Sequence, residues 1–293
     1  MLRGYQLKAI AQLKDKIQQG KKRIILCLAT GSGKTTIAAE IIRRATEHNN
    51  KILFIVHRTE LVTQAQNRFF AFGIDSDVIQ SDWLYQGKDV TIATIQTLTH
   101  RTKPEKDIII IDESHHTTSK SYLRVLEHYQ DKIIIGLTAT PYRTDGRPLG
   151  DVYEDLVEPV TIQDLIKNNY LVQPRYFCAK KQIETAGIKK TAGDYNLSQL
   201  FKKADDKALY DNVVENYLKF CPGQERAIVF NINKEHSKKT CDNFLSKGIA
   251  AKHIDCDTPT NDRVEILELF KKGVYRVLCN CSLFTEGYDL PSL

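Results

Sequence analysis

The sequence of 293 residues has no long apolar run. No stretch approaches the length of an uninterrupted membrane span. The first residues, Met1-Leu2-Arg3-Gly4-Tyr5, lead directly into an amphipathic pattern instead of a secretory apolar core. Hydrophobic residues make up 42% of the chain, which is enough to build the cores of two ordinary domains. We therefore expect a globular, soluble, cytoplasmic protein.

The sequence also lacks the cysteine patterns of a disulfide framework or a zinc site. Its seven cysteines, an odd number, are scattered through apolar runs without a recurrent metal-ligand spacing. Cys279 and Cys281 point to one face of a predicted strand, but no second pair lies nearby to complete a tetrahedral site. Reduced thiols packed in the core are the favoured interpretation.

Charge and repeats carry little information. The net charge of +6 favours a polyanionic partner such as nucleic acid, but an ordinary solvated surface gives the same value. No fixed-period repeat of the solenoid kind is visible. The order of the secondary-structure patterns and the motifs between them must therefore carry any functional argument.

Short β-branched runs alternate with helical patterns in the first half of the chain. A front helix with Ile10, Leu13 and Ile17 on one face precedes them. The predicted strands cover 23–28, 51–56, 89–93, 107–111 and 132–137, and the helices between them cover 35–48, 60–72 and 119–129. This alternation is typical of an α/β fold with a doubly wound parallel sheet.

A second alternation of the same kind begins near residue 207. Its predicted helices cover 207–220, 234–247 and 261–271, and its strands cover 226–230, 249–254 and 274–279. The pattern before it is irregular and polar. We therefore predict a first domain over 1–158, a connector with a short helix over 159–206, and a second, incomplete domain over 207–293.

A glycine-rich segment lies between the first predicted strand and an amphipathic helix, which is the context that a phosphate-binding loop requires. Glycines let backbone amides and the helix amino end face phosphates. Lys34 is expected to hold the β- and γ-phosphates, and the Thr35 hydroxyl to bind Mg²⁺. The strict form of the loop has a glycine where this chain has Leu28. The predicted nucleotide-binding residues of the loop are Thr30, Gly31, Ser32, Gly33, Lys34, Thr35 and Thr36.

Two carboxylates, Asp112 and Glu113, follow the predicted strand 107–111. Because the carboxyl ends of parallel strands meet at one edge of a sheet, both are expected beside the phosphate loop. We assign Asp112 to the metal ion and Glu113 to the general base that polarises the attacking water. For His115 and His116 the HExxH zinc spacing is absent, and a hydrogen-bonding relay or a plain helix start is favoured.

Further motifs follow in a fixed order. They are Val56-His57-Arg58-Thr59-Glu60-Leu61-Val62, Thr94-Ile95-Gln96-Thr97-Leu98, Gly136-Leu137-Thr138-Ala139-Thr140-Pro141-Tyr142-Arg143 and Thr285-Glu286-Gly287-Tyr288-Asp289. The ordered set resembles superfamily 2 helicases of the DEAD/DEAH-box type, in the branch related to type III restriction-enzyme motor subunits. This resemblance implies two RecA-like domains and the use of ATP and Mg²⁺. In this branch Leu28 is ordinary.

The resemblance also implies roles at the nucleotide. Arg3 and Gln6 match the front motif that reads adenine, so ATP is preferred over GTP. The alternative for Gln6 is a polar helix residue. Gly287 and Asp289 match the motif that closes on the nucleotide from the second domain. At Cys281 the family usually has threonine, which leaves one strand contact open.

Other matches concern coupling and the nucleic acid. Thr138, Thr140 and the relay residue His115 are assigned to coupling hydrolysis to strand movement, although both hydroxyls could instead cap local backbone. The residues matched to segments that face the nucleic-acid strand are His57, Arg58, Thr94 and Gln96. Sequence-independent binding follows from contacts of this kind. DNA is preferred over RNA because the branch mostly works on DNA. The alternative for His57 and Arg58 is a solvated loop.

One implied element is missing from the sequence. The family's second domain ordinarily ends with a glutamine-glycine-arginine-arginine segment that reaches the γ-phosphate, and none is found up to Leu293. We therefore expect hydrolysis by this chain alone to be impaired. The leading hypothesis is an ATP-dependent DNA helicase or translocase. The alternatives are an ATP- and nucleic-acid-binding fragment or subunit completed by another chain, and the motor part of a restriction system.

Overall fold

The computed structural model of the protein describes residues 2–79, 86–141, 149–178, 183–191, 194–223 and 225–284. The chain divides into two compact units, residues 1–174 and 175–293. The division falls inside the predicted connector. Within the described ranges, no helix combines the length and the apolar character that crossing a membrane requires.

The first unit is built on a seven-stranded parallel sheet with the order β3-β4-β2-β5-β6-β1-β7. Its strands are β1 (Arg23–Cys27), β2 (Ile52–Val56), β3 (Ser76–Ile79), β4 (Val90–Thr94), β5 (Ile108–Ile111), β6 (Ile133–Thr138) and β7 (Asp155–Val157). Its helices are α1 (Gly4–Gln18), α2 (Lys34–Thr46), α3 (Thr59–Phe70), α4 (Ile95–His100), α5 (Lys120–His128) and α6 (Ile162–Lys167). The predicted α/β fold with a doubly wound parallel sheet is confirmed.

Helices on both faces explain why the central strands are apolar at every position. All five residues of β2 are 0% exposed, and they alternate between two core layers. Ile52, Phe54 and Val56 face the layer that contains Phe69 of α3. Leu53 and Ile55 face the layer of Tyr122, Val125 and Leu126 on α5. Strands buried on both faces read as continuous β-branched runs, which is why five of these strands could be predicted.

The two strands that the sequence patterns missed are short or polar. In β3, Ser76 and Asp77 are buried, and the Asp77 carboxylate accepts hydrogen bonds from the amides of Gln86 and Gly87 at 2.6 and 3.1 Å. An aspartate at such a position hides the strand from an apolar pattern. The three-residue strand β7 begins with Asp155, whose carboxylate lies 2.9 Å from the Lys16 ammonium. In α6, Leu165 is fully buried in the core of the first unit.

The second unit contains a three-stranded parallel sheet with the order β10-β12-β11. A short antiparallel pair, β8 (Lys190–Thr191) and β9 (Asp194–Tyr195), precedes it. The sheet strands are β10 (Ala227–Phe230), β11 (Ala251–Ile254) and β12 (Val277–Asn280), and the helices are α7 (Leu197–Ala204), α8 (Lys207–Phe220), α9 (Lys234–Ser246) and α10 (Thr260–Lys271). Phe244 of α9 and Phe270 of α10 belong to different core clusters, and both are 0% exposed. The second alternation of strands and helices therefore also forms a parallel sheet.

Gly136 in β6 makes room for two buried hydroxyl groups. A Cβ atom at this position would lie 2.6 Å from Tyr153 Oη and 2.7 Å from Ser114 Oγ. Because both neighbours are buried, we expect Gly136→Ala to lower the free energy of unfolding by about 1–3 kcal/mol. Urea unfolding measures this change. At Gly150 the equivalent Cβ has no atom within 4 Å, so Gly150→Ala is the matched control. Equal stability of the two variants would contradict the crowding.

Candidate functional site

Most of the predicted site residues of the first unit lie at one edge of its sheet. The phosphate loop follows β1, Asp112 follows β5, Thr138 ends β6 and His57 follows β2. These four strands are neighbours in the sheet, in the order β2-β5-β6-β1, and they are all parallel. Their carboxyl ends therefore meet at the edge where open parallel sheets bind ligands.

The phosphate loop connects β1 to the amino end of α2. Gly31 and Gly33 have φ angles of 78° and 83°, in the left-handed region that favours glycine. The Ser32 hydroxyl donates a hydrogen bond to the Ala29 carbonyl oxygen at 2.6 Å, which tightens the turn. The Lys34 ammonium lies 3.4 Å from the Leu28 carbonyl oxygen. The turn thus presents the first amides of α2 and a lysine together, a combination suited to phosphate.

Helix α1 holds this loop in place. Tyr5 Oη and Gln6 Nε2 both donate to the Ser32 carbonyl oxygen, at 2.7 and 3.1 Å. Gln6 Oε1 accepts from the Arg3 amide at 2.9 Å. Gln6 is 5% exposed, and each amide atom has capacity for one further hydrogen bond. Glycine is favoured at position 33 by its φ of 83°, and a Cβ there would also lie 2.8 Å from Gln6 Nε2. Reading of adenine by Arg3 and Gln6 stays a prediction.

Tyr170 and Leu171 form a wall of this site that the sequence did not reveal. The Tyr170 ring lies 4.7 Å from the Arg3 guanidinium carbon and 5.3 Å from the Tyr5 ring, measured to the ring centroid. The Leu171 side chain approaches Gly31, where a Cβ would lie 3.2 Å from it. Both residues follow α6, in a region predicted to be irregular. The signal in the sequence was an aromatic residue three residues after the end of a short helix.

The two carboxylates stand at the end of β5. Glu113 has φ 48° and ψ 51°, a left-handed conformation that residues other than glycine seldom adopt. Its amide donates to Asp112 Oδ1 at 3.1 Å, and its Oε2 lies 3.4 Å from His115 Nδ1. Backbone conformations of this kind cluster at functional sites, where the surrounding contacts hold them. The structure therefore fixes the direction of the Glu113 side chain.

The same two carboxylates titrate differently. Burial, and next the charge of Glu113, raise the pKa of Asp112 to about 6 against the opposing charge of Lys34. Burial also raises the pKa of Glu113, but the hydrogen bond from His115 and the charge of Lys34 outweigh it, so this pKa lies below its ordinary value. Adjacent carboxyl groups with separated pKa values suit two different roles.

The side chains of Asp112 and Thr35 offer oxygen atoms, which are the type of ligand that Mg²⁺ prefers. Mg²⁺ is usually bound by one or two protein oxygens together with substrate phosphates and waters. Among the residues that the structure describes, no group of three or more His, Cys, Asp and Glu side chains could hold a metal ion. Metal binding by Asp112 and Thr35 therefore stays a prediction, in which the phosphates of the nucleotide supply further ligands.

The raised pKa of Asp112 predicts that this residue lowers the stability of the folded protein at neutral pH. The folded protein binds this proton more tightly than the unfolded chain, so the free energy of unfolding falls as the pH rises from 3.8 to about 6 and stays lower above. The difference corresponds to about 3 kcal/mol. Without metal or nucleotide, we expect Asp112→Asn to stabilise the protein by about 1–3 kcal/mol at pH 7.5 and by much less at pH 4.5.

Urea unfolding in a chelator at the two pH values tests this expectation. Asp131→Asn is the control, because Asp131 is an exposed carboxylate in the turn after α5. A stabilisation by Asp112→Asn that is the same at both pH values, or none at either, would contradict the assigned cause.

The three predicted coupling residues lie together. Thr138 Oγ1 donates to the Thr140 carbonyl oxygen at 2.9 Å and accepts from the Thr140 amide at 3.1 Å. The Thr138 hydroxyl hydrogen is thus used, and His115 Nδ1 lies 3.3 Å from Thr138 Oγ1 and 3.4 Å from Glu113 Oε2, so a hydrogen on Nδ1 is shared between these two acceptors. Thr138 therefore caps local backbone and also contacts the motif that contains Glu113. The coupling role itself stays a prediction.

The residues predicted to face a nucleic-acid strand are arranged unequally. Gln96 is exposed, and its Nε2 donates to the His57 carbonyl oxygen at 3.0 Å. His57 and Arg58 are partly exposed at the end of β2. Thr94 is 3% exposed, and its hydroxyl accepts from the Thr97 amide at 3.3 Å as the cap of α4. Three of the four side chains are thus accessible, and strand binding stays a prediction for all four.

The fourth motif lies outside the described residues. Gly287 and Asp289, predicted to close on the nucleotide from the second domain, both fall there, as does the end of the third motif, Tyr142-Arg143. Cys281 is described, and its Sγ lies 3.9 Å from the Ile232 carbonyl oxygen.

A parallel sheet with a glycine loop at a helix amino end and two carboxylates on a nearby strand defines a nucleotide-binding domain of the RecA-like class. Comparison with protein families is more specific. Residues 1–143 match the family "Type III restriction enzyme, res subunit", and residues 211–293 match "Helicase conserved C-terminal domain". The chain belongs to the superfamily 2 helicases, in the branch that resembles restriction-enzyme motor subunits. The family resemblance seen in the motifs is confirmed.

Two curated relatives match most of the chain, and one of them is named as a helicase. The "Putative ATP-dependent helicase IRC3" of Saccharomyces cerevisiae is 32% identical over 100% of this chain and 46% of the yeast protein. A "51.5 kDa protein" of a Lactococcus phage is 34% identical over 89% of this chain and 55% of the phage protein. The chain thus spans about half the length of these curated relatives.

Solved structures share the fold. The "ATP-dependent Type ISP restriction-modification enzyme LlaBIII bound to DNA" matches 100% of this chain and 25% of that chain, with a TM-score of 0.66 and 18% identity. The structure "S. cerevisiae Dbp5 bound to RNA and ADP BeF3" matches 100% of this chain and 77% of that chain, with a TM-score of 0.56 and 18% identity. At these identities the likeness concerns the architecture alone.

Proposed function

We propose that this chain is the motor of an ATP-dependent DNA helicase or translocase. The observation that carries the proposal is the meeting of the phosphate loop, the Asp112-Glu113 pair and the Thr138 segment at the carboxyl ends of neighbouring strands. Each segment alone has ordinary explanations. Together, a phosphate cradle, the oxygen ligands of Asp112 and Thr35 for Mg²⁺ and a positioned carboxylate are the parts that phosphoryl transfer to water requires.

The proposal gives each of these residues a role. Lys34 and the first amides of α2 hold the β- and γ-phosphates, and Arg3 and Gln6 orient the base. Asp112 and Thr35 hold Mg²⁺, which neutralises charge on the phosphates when it is bound. Glu113 orients the attacking water and accepts its proton. His115 and Lys34 favour the ionised form of Glu113, which is the form that a general base needs.

The proposed nucleic acid is DNA. The protein binds its phosphate backbone and has no sequence preference. His57, Arg58 and Gln96 surround the strand end of β2, where a guanidinium and an amide can contact phosphates. One solved structure of the same fold is a restriction-modification enzyme bound to DNA and another is bound to RNA, so the choice of DNA rests on the branch of the family and not on these structures. Thr94 completes the proposed set of contacts, and its hydroxyl also caps α4.

A second candidate is a protein that binds ATP and DNA but hydrolyses slowly unless another subunit completes it. The match of residues 1–143 to a restriction subunit family keeps the motor part of a restriction system as a special case of this candidate.

ATP hydrolysis by the 293-residue chain, measured with single-stranded DNA, duplex DNA and RNA, tests the proposal, with Glu113→Gln as the blank. We expect DNA to raise the rate more than RNA does. Saturable binding of ATP and DNA without stimulated hydrolysis favours the second candidate. A chain that binds neither ATP nor DNA overturns both.

A further inference from the structure

Three histidine rings form a continuous column between the ends of β2 and β5. The ring centroids of His57 and His116 are 4.4 Å apart, and the ring planes differ by 21°, which is a stacked arrangement. The centroids of His116 and His115 are 4.1 Å apart, with planes tilted by 46°. His57 follows β2, whereas the other two lie on the 3-10 turn after β5. His116 is therefore the ring in the middle.

The two ends of the column touch different parts of the site. At the first end, the His57 carbonyl oxygen accepts from Gln96 Nε2 at 3.0 Å, and Arg58 is the next residue. These are the residues proposed to face DNA. At the other end, His115 Nδ1 lies 3.4 Å from Glu113 Oε2 and 3.3 Å from Thr138 Oγ1. The column thus leads from the proposed DNA contacts to the proposed general base.

The turn that carries His115 and His116 is held by buried contacts. Ser114 is 0% exposed, and its carbonyl oxygen accepts from Thr117 Oγ1 at 2.6 Å. Glu113, directly before the turn, has the left-handed backbone conformation that its surroundings must maintain. Closely packed groups of this kind shift between discrete arrangements instead of deforming smoothly. A shift of the His57 ring is therefore expected to displace the His116 ring and, through it, the turn.

We propose that His116 is a positioning residue that couples occupancy of the DNA site at His57 to the placement of Glu113. The His116 ring contacts both neighbouring rings, stacked on His57 and tilted against His115, so these two contacts need a flat ring at position 116. The inference rests on the proposed function. It adds a route between the two ligands that runs through stacked rings, beside the hydrogen bonds of Thr138 and Thr140.

The route predicts a change in two ratios. The first is the ATP hydrolysis rate with DNA divided by the rate without it. The second is the dissociation constant for DNA measured without a non-hydrolysable ATP analogue, divided by the same constant measured with the analogue present. Couplings between binding sites are typically about 5–150-fold, and they are reciprocal for binding. In His116→Asn, which keeps a polar side chain but removes the ring, we expect both ratios to fall by at least about fivefold toward one.

A matched variant, His116→Phe, keeps a flat ring and removes the nitrogen atoms. We expect it to retain both ratios within about twofold of the original protein, because the stack persists. His128→Ala on α5 is the control for loss of an exposed histidine elsewhere. A merely structural role at position 116 would lower stability without moving the binding ratio, so unfolding curves are recorded for every variant.

The outcomes separate the coupling from the function. If His116→Asn keeps both ratios while His116→Phe loses them, a hydrogen bond and not the stack acts at this position, and the proposal is overturned. Unchanged ratios in both variants overturn it as well, although the motor itself stands. If the original protein binds no DNA, the proposed function fails and the coupling that rests on it fails with it.

Discussion

Replacing Glu113 with glutamine is expected to lower the rate of DNA-stimulated ATP hydrolysis by about 10²–10⁴-fold, the usual range for loss of a general base. The amide has nearly the same shape as the carboxylate but cannot accept the proton of the attacking water. Its position should persist, because the left-handed backbone at Glu113 and the neighbouring His115 belong to the turn and not to the charge. Steady-state release of phosphate measures the effect.

The binding of ATP separates a lost base from a damaged site. We expect Glu113→Gln to bind ATP as tightly as the original protein, measured by calorimetry in the presence of Mg²⁺. Glu127→Gln on the exposed side of α5 makes the same chemical change away from the site and should leave the rate unchanged. Hydrolysis at the original rate in Glu113→Gln would show that another group activates the water.

Lys34→Ala is expected to weaken ATP binding by about 10–100-fold, because a charge-assisted hydrogen bond contributes about 1.5–3 kcal/mol. Hydrolysis should fall further, since the same ammonium also lowers the pKa of both Asp112 and Glu113. Its loss therefore makes both carboxyl groups harder to ionise while a phosphate contact disappears. Calorimetric titration with ATP and Mg²⁺ gives the affinity, and phosphate release gives the rate.

Lys8→Ala is the matched control for this variant, since Lys8 is an exposed lysine on α1. It removes the same charge from the chain without approaching the phosphate loop. Undiminished ATP binding in Lys34→Ala would reject the assignment of this loop, whatever the rate of hydrolysis. Equal losses in Lys8→Ala and Lys34→Ala would point instead to a general effect of net charge.

Much of the site could be predicted because its parts are local in sequence. A run of buried β-branched residues locates the end of each strand, and the glycines with Lys34 or the pair Asp112-Glu113 follow directly. Parallel strands then bring these ends together without any knowledge of side-chain packing. The same logic missed β3, where Asp77 satisfies nearby amides and replaces an apolar residue.

Contacts between distant segments could not be predicted in this way. The stack of His57 on His116 joins two loops whose side chains have no shared periodicity, and Tyr170 reaches Arg3 from the far end of the first unit. Burial can also give a motif residue a structural role that its motif does not indicate. Thr94 matched a strand-contacting motif, yet its hydroxyl caps a helix inside the protein. Such roles depend on tertiary packing, which sequence patterns do not encode.

The bonds from Tyr5 and Gln6 to the Ser32 carbonyl oxygen have a consequence for how fast a nucleotide can be captured. Because α1 already holds the loop in its turn, binding of phosphates does not have to order several flexible residues. Freezing one residue's backbone costs about 1–2 kcal/mol of entropy, so a loop that is ordered beforehand spares the ligand that loss. The first turn of α1 thereby keeps the loop in its ordered conformation. Its removal should slow nucleotide association more than dissociation.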